Sequence, residues 1–278
     1  MAEITAALVG QLRRMTNAGL MDCKKALTES DGDLDAAVDL LRKKGVATAA
    51  KKAGRDANEG VISHYIQPDG KLGLLVEVNC ETDFVAKNET FRVFCNDLAK
   101  TLVEQPEADF EAIRTNQVTK VGENIRIGRH ATLQVQGSGM VAAYIHTGAK
   151  VGVLVEVGAG KDETTHQDAF KGLVKDITLQ IAAANPTSVS RESVDADLIA
   201  KEKEIAAEQF KDKPAQAIEK IVEGKMEKFF QNICLVDQGF VKNGEITVKE
   251  HIASVGKELD DTISISRFLR FQVGEGED

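Results

Sequence analysis

The chain has 278 residues, 42% hydrophobic and 28% charged, which supports about two domains or slightly more and excludes a disordered chain. Its 35 Lys plus Arg against 44 Asp plus Glu give a net charge of −9, so a protein devoted to wrapping nucleic-acid phosphates is excluded and only a local basic patch is allowed. Four scattered cysteines (Cys23, Cys80, Cys95, Cys234) with no CxxC pair read as thiols in a reducing compartment, with no disulfide. An early acid, Glu3, stands where a leader would be basic, and no apolar run reaches membrane-spanning length, so a soluble, cytoplasmic protein is expected.

Residues 1–55 hold 10 Lys plus Arg and 7 Asp plus Glu, a net +3 that sets them apart from the acidic remainder as an N-terminal unit. Leu8, Leu12 and Met15 recur at helical spacing after a Thr5 cap, with Ile4 just outside, and Asn17-Ala18-Gly19 breaks the pattern. A second helix carries Cys23, Ala26 and Leu27 and stops at Ser30-Asp31-Gly32. Asp33 then caps a third with the stripe Leu34, Val38 and Leu41, which Arg42 to Lys44 complement and Gly45 closes. Ala47 to Ala53 reads as a helical linker.

From Gly60 the period changes to two. Gly60 to Ile66, a Pro68-Asp69-Gly70 turn and Leu72 to Val78 predict a hairpin, and Phe91, Phe94, Leu98 and Leu102 predict a helix laid on it. The plan repeats 79 residues later: Gly139 to Val157 matches Gly60 to Val78 at nine of nineteen positions, and Phe170, Leu173 and Ile177 follow where Phe91, Phe94 and Leu98 stood. Strands are expected at Asn124 to Val135 and at Thr262 to Val273, the latter with Ile263, Ile265, Leu269, Phe271 and Val273 on one alternating face.

Between the second helix and the last strand, 18 of the 41 residues from 191 to 231 are charged. Leu198 and Ile205 mark one helical seam, Pro214 breaks the run, and Ile218, Ile221, Val222, Met226 and Phe229 mark the return. Thr247-Val248-Lys249-Glu250 is a capping box for a short helix bearing Ile252, Val255 and Leu259.

The predicted class is therefore α+β: a three-helix N-terminal domain with linker (1–55), antiparallel ββα core subdomains (56–138, and 139–190 with 232–278) and an inserted helical hairpin (191–231). The hairpin's apolar stripe fits equally a homodimer seam and a stiff, self-packed arm.

Catalytic and metal chemistry find little support. His64, His130, His146, His166 and His251 form no HxxxH pair or His/Cys cluster, so no metal and no cofactor are expected. Gly158-Ala159-Gly160-Lys161 lacks the earlier glycine and the following Ser or Thr of a phosphate loop, and Ser138 lacks the glycine spacing of a nucleophile elbow. No enzyme is expected. What stands out is Glu77 to Lys87 at the junction of strand and helix. In the second copy, Thr82-Asp83-Phe84-Val85 becomes Lys161-Asp162-Glu163-Thr164, so the architecture does not demand Phe84. In one reading Thr82 or Asp83 caps the helix while Phe84 extends the core stripe of Phe91; in the other, an acidic and an aromatic side chain project as an interface anchor.

Leu12-Arg13-Arg14-Met15-Thr16-Asn17-Ala18-Gly19-Leu20-Met21-Asp22-Cys23-Lys24-Lys25-Ala26-Leu27 and Glu77 to Lys87 resemble the two signature segments of bacterial translation elongation factor Ts, and the order of modules agrees along essentially the whole chain. The resemblance implies a guanine nucleotide exchange factor for the GTPase elongation factor Tu, with Thr82, Asp83, Phe84 and Val85 approaching the partner's Mg²⁺ site. It implies a ubiquitin-associated-like fold for the N-terminal helices and contacts through Leu12, Leu20 and Met21, with leucine at position 20 where methionine is common. It also implies that His146 reaches another domain of the partner. Family members often continue past Val273 to Gly276 with a further helix, whereas this chain ends at Asp278, so either any contact of that helix is missing or the sequence is shortened. The competing expectation is an adaptor or oligomerising scaffold that binds a GTPase without accelerating release.

Overall fold

The computed structural model describes residues 3–16 and 18–275. The expected break at Asn17 and the last three residues lie outside them. The chain is α+β, with helices and antiparallel sheet, and divides into two compact units.

The first unit comprises Met1–Ser63, Val76–His130 and Val273–Asp278. Helices α1 (Ala6–Thr16), α2 (Leu20–Glu29) and α3 (Leu34–Lys52) bury Val9, Leu12, Cys23, Ala26, Leu27 and Ala37 among themselves. The expected caps form: Thr5 Oγ1 accepts from the Leu8 amide at 3.2 Å, and Asp33 from Ala36 at 3.0 Å. Gly45, however, does not close α3. The helix runs through it, and the residues read as a linker form its second half. The reason is tertiary. β1 (Glu59–Ile66), β2 (Leu72–Cys80), α4 (Asp83–Lys87), α5 (Glu89–Glu104), α6 (Phe110–Val121) and β3 (Ile125–Gln134) follow. A Cβ at Gly45 would sit 3.1 Å from Thr119 Oγ1 on α6, so glycine serves close helix approach here instead of termination.

Helix α6 went unread in the sequence because its apolar residues show no clear periodicity; its signals are the caps, Asp109 accepting from Ala112 and left-handed Gly122. Helix α5 buries Phe91 and Leu98 as expected, with Phe94 half-buried. The sheet order is β1-β2-β3, with β2 central.

The second unit comprises His64–Leu75 and Ala131–Gln272. It contains β4 (Gly139–Ile145), β5 (Val151–Ala159), α7 (Asp168–Ala184), α8 (Ala196–Glu208), α9 (Ala215–Ile233), β6 (Gly239–Phe240), β7 (Asn243–Thr247), α10 (Val248–Glu258) and β8 (Ile263–Gln272). β5 lies between β4 and β8, antiparallel to both. Val153, Val155 and Val157 pack against Phe170, Leu173 and Ile177 of α7 and Ile252 of α10. The capping box forms as read, with Glu250 accepting from Thr247 at 2.7 Å and Thr247 Oγ1 from Glu250 at 3.2 Å.

Two expectations fail in this unit. The strict alternation assigned to the last strand is broken by a register shift opposite Glu156 and Val157: Val157 pairs with Ile265 while Glu156 pairs with Arg267. Ser266 is the extra residue. The bulge carries Phe268 round to the helix-covered face with Ile263 and Ile265, and leaves Leu269 and Phe271 opposite Leu154 and Gly152 on the other. The seam assigned to Leu198 and Ile205 is also displaced. Both side chains are exposed, whereas Ile199 is half-buried and Ala206 buried, so the packed face of α8 is rotated by one residue. Small Ala206 permits the close approach of α9, where Met226 is buried as expected.

The repeat noticed in the sequence has counterparts in geometry. Gly60 and Gly139 both adopt positive φ, and a Cβ at either would run into the carbonyl oxygen of Val78 or Val157 respectively. Glu77 (4% exposed) pairs with Arg129 at 3.1 Å, and Glu156 (7% exposed) with Arg267 at 2.7 Å, each joining the central strand to the fifth residue of its third strand.

Candidate functional site

Helix α4 is a single turn held between two caps. Thr82 is extended and its Oγ1 accepts from the Val85 amide at 3.4 Å, starting the turn. Asn88 ends it, donating its N–H to the Val85 carbonyl at 3.0 Å, and its Oδ1 at once accepts from Thr90 and Phe91 to start α5. This break removes the reading in which Phe84 extends the core stripe of Phe91. Because α4 and α5 are separate helices, Phe84 is not in phase with Phe91. Its ring is 81% exposed, the most exposed large hydrophobic side chain among the described residues, while Ala86 is buried and Val85 half-buried.

Asp83 carries a salt bridge to Lys87 at 2.6 Å, one helical turn on. The hydrogen bond from that ammonium holds the Asp83 carboxyl below its ordinary range and raises the lysine correspondingly. The motif thus presents a carboxylate and a bare ring side by side.

What fixes the turn comes from far along the chain. Glu123, two residues ahead of β3, accepts from the Thr82 amide at 3.0 Å with one oxygen and from the Thr82 hydroxyl at 2.6 Å with the other. The Asn124 amide donates to Glu81 at 2.5 Å, which also faces Arg55 at 3.4 Å; first that amide and then the guanidinium hold the Glu81 carboxyl low. Asn124 Nδ2 donates in turn to the carbonyls of Ala53 and Arg55 just beyond α3, and Lys52 Nζ to that of Gly122. Sequence reading missed Glu123, Asn124 and Arg55. The only local signal was a polar Glu-Asn pair before a strand, and nothing in the sequence says that it meets a segment 41 residues earlier.

The remaining candidate residues fare differently. Leu20 and Met21, at the start of α2, are exposed, Met21 by 72%, and Met15 is exposed as well. Leu12 is a correction: it is fully buried in the three-helix core, so it can shape that surface only from beneath. His146 lies in the second unit, exposed at the turn after β4, with Tyr144 Oη 3.1 Å from its Nδ1. A recess of about 340 Å³ beside it is lined by Tyr144, Val151, Leu179, Ala182 and Val241. Among the described residues no group of His, Cys, Asp and Glu side chains could hold a metal ion, and no helix is long and apolar enough to cross a membrane. The four cysteines are buried free thiols; burial pushes Cys234 up to about 11 and Cys95 higher still.

A turn capped at both ends that offers an exposed aromatic beside a carboxylate, with exposed apolar side chains on a helical module, has the composition of a protein-interaction surface. The family model of elongation factor Ts matches residues 81–275. Over nearly the full chain the sequence is 45% identical to elongation factor Ts of Clostridioides difficile (99% of this chain, 94% of the relative). It is 41% identical to those of Clostridium novyi (98% and 94%) and Nitratidesulfovibrio vulgaris (98% and 96%). The chain belongs to the elongation factor Ts family, and its role is that of a nucleotide exchange factor for elongation factor Tu.

Proposed function

We propose that the chain accelerates GDP release by inserting Phe84 between apolar elements beside the nucleotide site of elongation factor Tu, while Asp83 disturbs the charge and hydrogen bonds there. In a P-loop GTPase the nucleotide is held by backbone amides around its phosphates and by Mg²⁺ bridging phosphate oxygens to protein ligands. Dislodging Mg²⁺ and loosening that cradle lowers affinity for GDP without covalent chemistry. Coupling is reciprocal, so the factor weakens GDP binding by the same factor as GDP weakens its own, and GTP rebinding expels it. The observation that carries this reading is the 81% exposure of Phe84 on a turn capped at both ends. An aromatic ring left in water has little to gain at home and an apolar partner surface to gain elsewhere.

Thr82 and Val85 are assigned as the frame of this wedge, and Leu20, Met21 and His146 as further contacts that add affinity. Under this reading residues 1–55 form the docking module, 56–138 and 139–190 with 232–278 are two subdomains from one duplicated ββα plan, and 191–231 is an arm that can seat a second copy. The matched glycines and Glu–Arg pairs support the duplication. The reading places the protein in the cytoplasm with no direct nucleic-acid or membrane partner, and no cofactor of its own.

The test is a chase of labelled GDP from elongation factor Tu. Phe84→Ala is expected to lower the stimulated release rate by about a hundredfold and complex formation by far less, as for an interaction used mainly in the transition state. Equal release by variant and wild type rejects the wedge, and binding without any acceleration by the wild type favours the adaptor.

A further inference from the structure

We infer that Glu123 is a positioning residue for nucleotide exchange, a clamp that sets the angle at which α4 presents Phe84 and Asp83; this rests on the wedge reading above. Three observations carry it. The first is the geometry of the grip. A carboxylate is acceptor-only, and Glu123 uses both oxygens on one residue, the amide at 3.0 Å and the hydroxyl at 2.6 Å of Thr82. With its hydroxyl proton directed to Glu123, Thr82 turns a lone pair towards the Val85 amide, so the carboxylate orients the cap that begins the turn.

The second is the anchorage behind the clamp. Gly122 and Asn124, on either side of Glu123, are held from the end of α3 by Lys52 and by the carbonyls of Ala53 and Arg55, while Asn124 and Arg55 both reach Glu81. The wedge is thus tied through Glu123 to a segment continuous with α3, whose other end belongs to the N-terminal helical core. A five-residue helix has too few internal bonds to fix its own direction, so that direction comes from this clamp.

The third is the comparison inside the molecule. At the matching place in the second unit, Asp261, also two residues ahead of its strand, accepts from the Lys161 amide at 2.9 Å and the Thr164 hydroxyl at 2.6 Å. There it fixes a 3₁₀ turn, Asp162–His166, with glutamate where the wedge aromatic would be. A related grip, here one carboxylate oxygen shared by two residues, therefore exists without the exchange side chain, and serves as an internal control for a role in folding alone.

The experiment measures GDP release from elongation factor Tu over a range of concentrations of full-length factor, together with each variant's thermal midpoint. A glutamine at 123 keeps the shape but has one acceptor oxygen for two donors. Glu123→Gln is expected to lower the maximal release rate by at least about tenfold with half-saturation changed by less than about threefold, the signature of misplaced but still docked groups. Asp261→Asn, with a comparable thermal loss, is expected to keep the maximal rate. An unchanged maximum in Glu123→Gln overturns the inference, as does an equal loss in Asp261→Asn. Phe84→Ala run alongside separates the two claims: if it loses release while Glu123→Gln does not, the clamp alone fails, and if Phe84→Ala releases normally the wedge itself fails.

Discussion

Glu156 on β5 and Arg267 on β8 form an ion pair at 2.7 Å in which the carboxylate is almost wholly buried and the guanidinium is more than half exposed. That asymmetry sets what the pair is worth. Removing the arginine strands a buried carboxylate, which for a fully buried pair costs about 3–5 kcal/mol. Because Arg267 is partly solvated, Arg267→Ala should cost less, about 2 kcal/mol. Glu77 also accepts from Asn79 at 2.8 Å and from the Gly274 amide at 2.9 Å, so Arg129→Ala should cost less still, about 1 kcal/mol. Urea unfolding of the two variants checks the order; a larger loss for Arg129→Ala contradicts it.

Gly45 and Gly172 are both interior helical glycines, yet they should respond in opposite directions. Beside Gly45 a side chain meets Thr119, whereas beside Gly172 on α7 there is open space. Gly172→Ala should stabilise by up to about 1 kcal/mol through helix propensity. Gly45→Leu should destabilise by about 1–3 kcal/mol by forcing α3 from α6. Denaturant midpoints decide, and a stabilising Gly45→Leu would show that the two helices separate at no cost.

The turn after β4 holds Ala149 at φ 59°, where the corresponding residue of the first hairpin is Gly70 at φ 69°. A left-handed alanine is strained by roughly 1–2 kcal/mol, partly offset in Ala149→Gly by the greater freedom of glycine when unfolded. The net expectation is a gain of about 0.5 kcal/mol for Ala149→Gly and a larger loss for Gly70→Ala. Paired thermal melts measure both; a loss on inserting glycine at 149 refutes the strain.

Acid should weaken the second unit through Asp261. The Thr164 hydroxyl, and after it the amides of Lys161 and Thr262, hold this carboxyl below its ordinary range. A carboxyl lowered by folding contributes stability that is complete above its unfolded value, about 3.9, and is lost as pH falls through the lower folded value. Asp261→Asn should therefore be less stable than wild type at neutral pH and lose less between about pH 5 and pH 2. Midpoints of thermal unfolding across that range test it, and parallel curves would exclude the carboxylate as a source of the acid response.

The legible parts of the site were those with a local cause. A cap at Thr82 or Asp83 and Phe84 as a residue that the repeat does not require both follow from sequence, since a cap is a contact of three residues and a repeat can be compared with itself; the structure chose Thr82. Whether Phe84 pointed in or out was undecidable from spacing, because seven residues separate it from Phe91 in either case. Asn88 settled it by ending one helix and capping the next. Leu12, in the same signature segment as Leu20 and Met21, proved to be core, since a shared motif mixes residues that touch a partner with those that hold them up.

By itself the sequence determined most of the element types, though not α6, β6 or β7, together with the α+β class, the repeat and the family, because periodicity, caps and motifs are properties of neighbours along the chain. The tertiary structure alone decided that α3 continues past Gly45, that Ser266 shifts the face of the last strand, that Ile199 and Ala206 face the hairpin seam, and that Glu123 grips Thr82. Each of these depends on a surface brought from tens of residues away, and the free energy of such a contact exists only once both surfaces are folded.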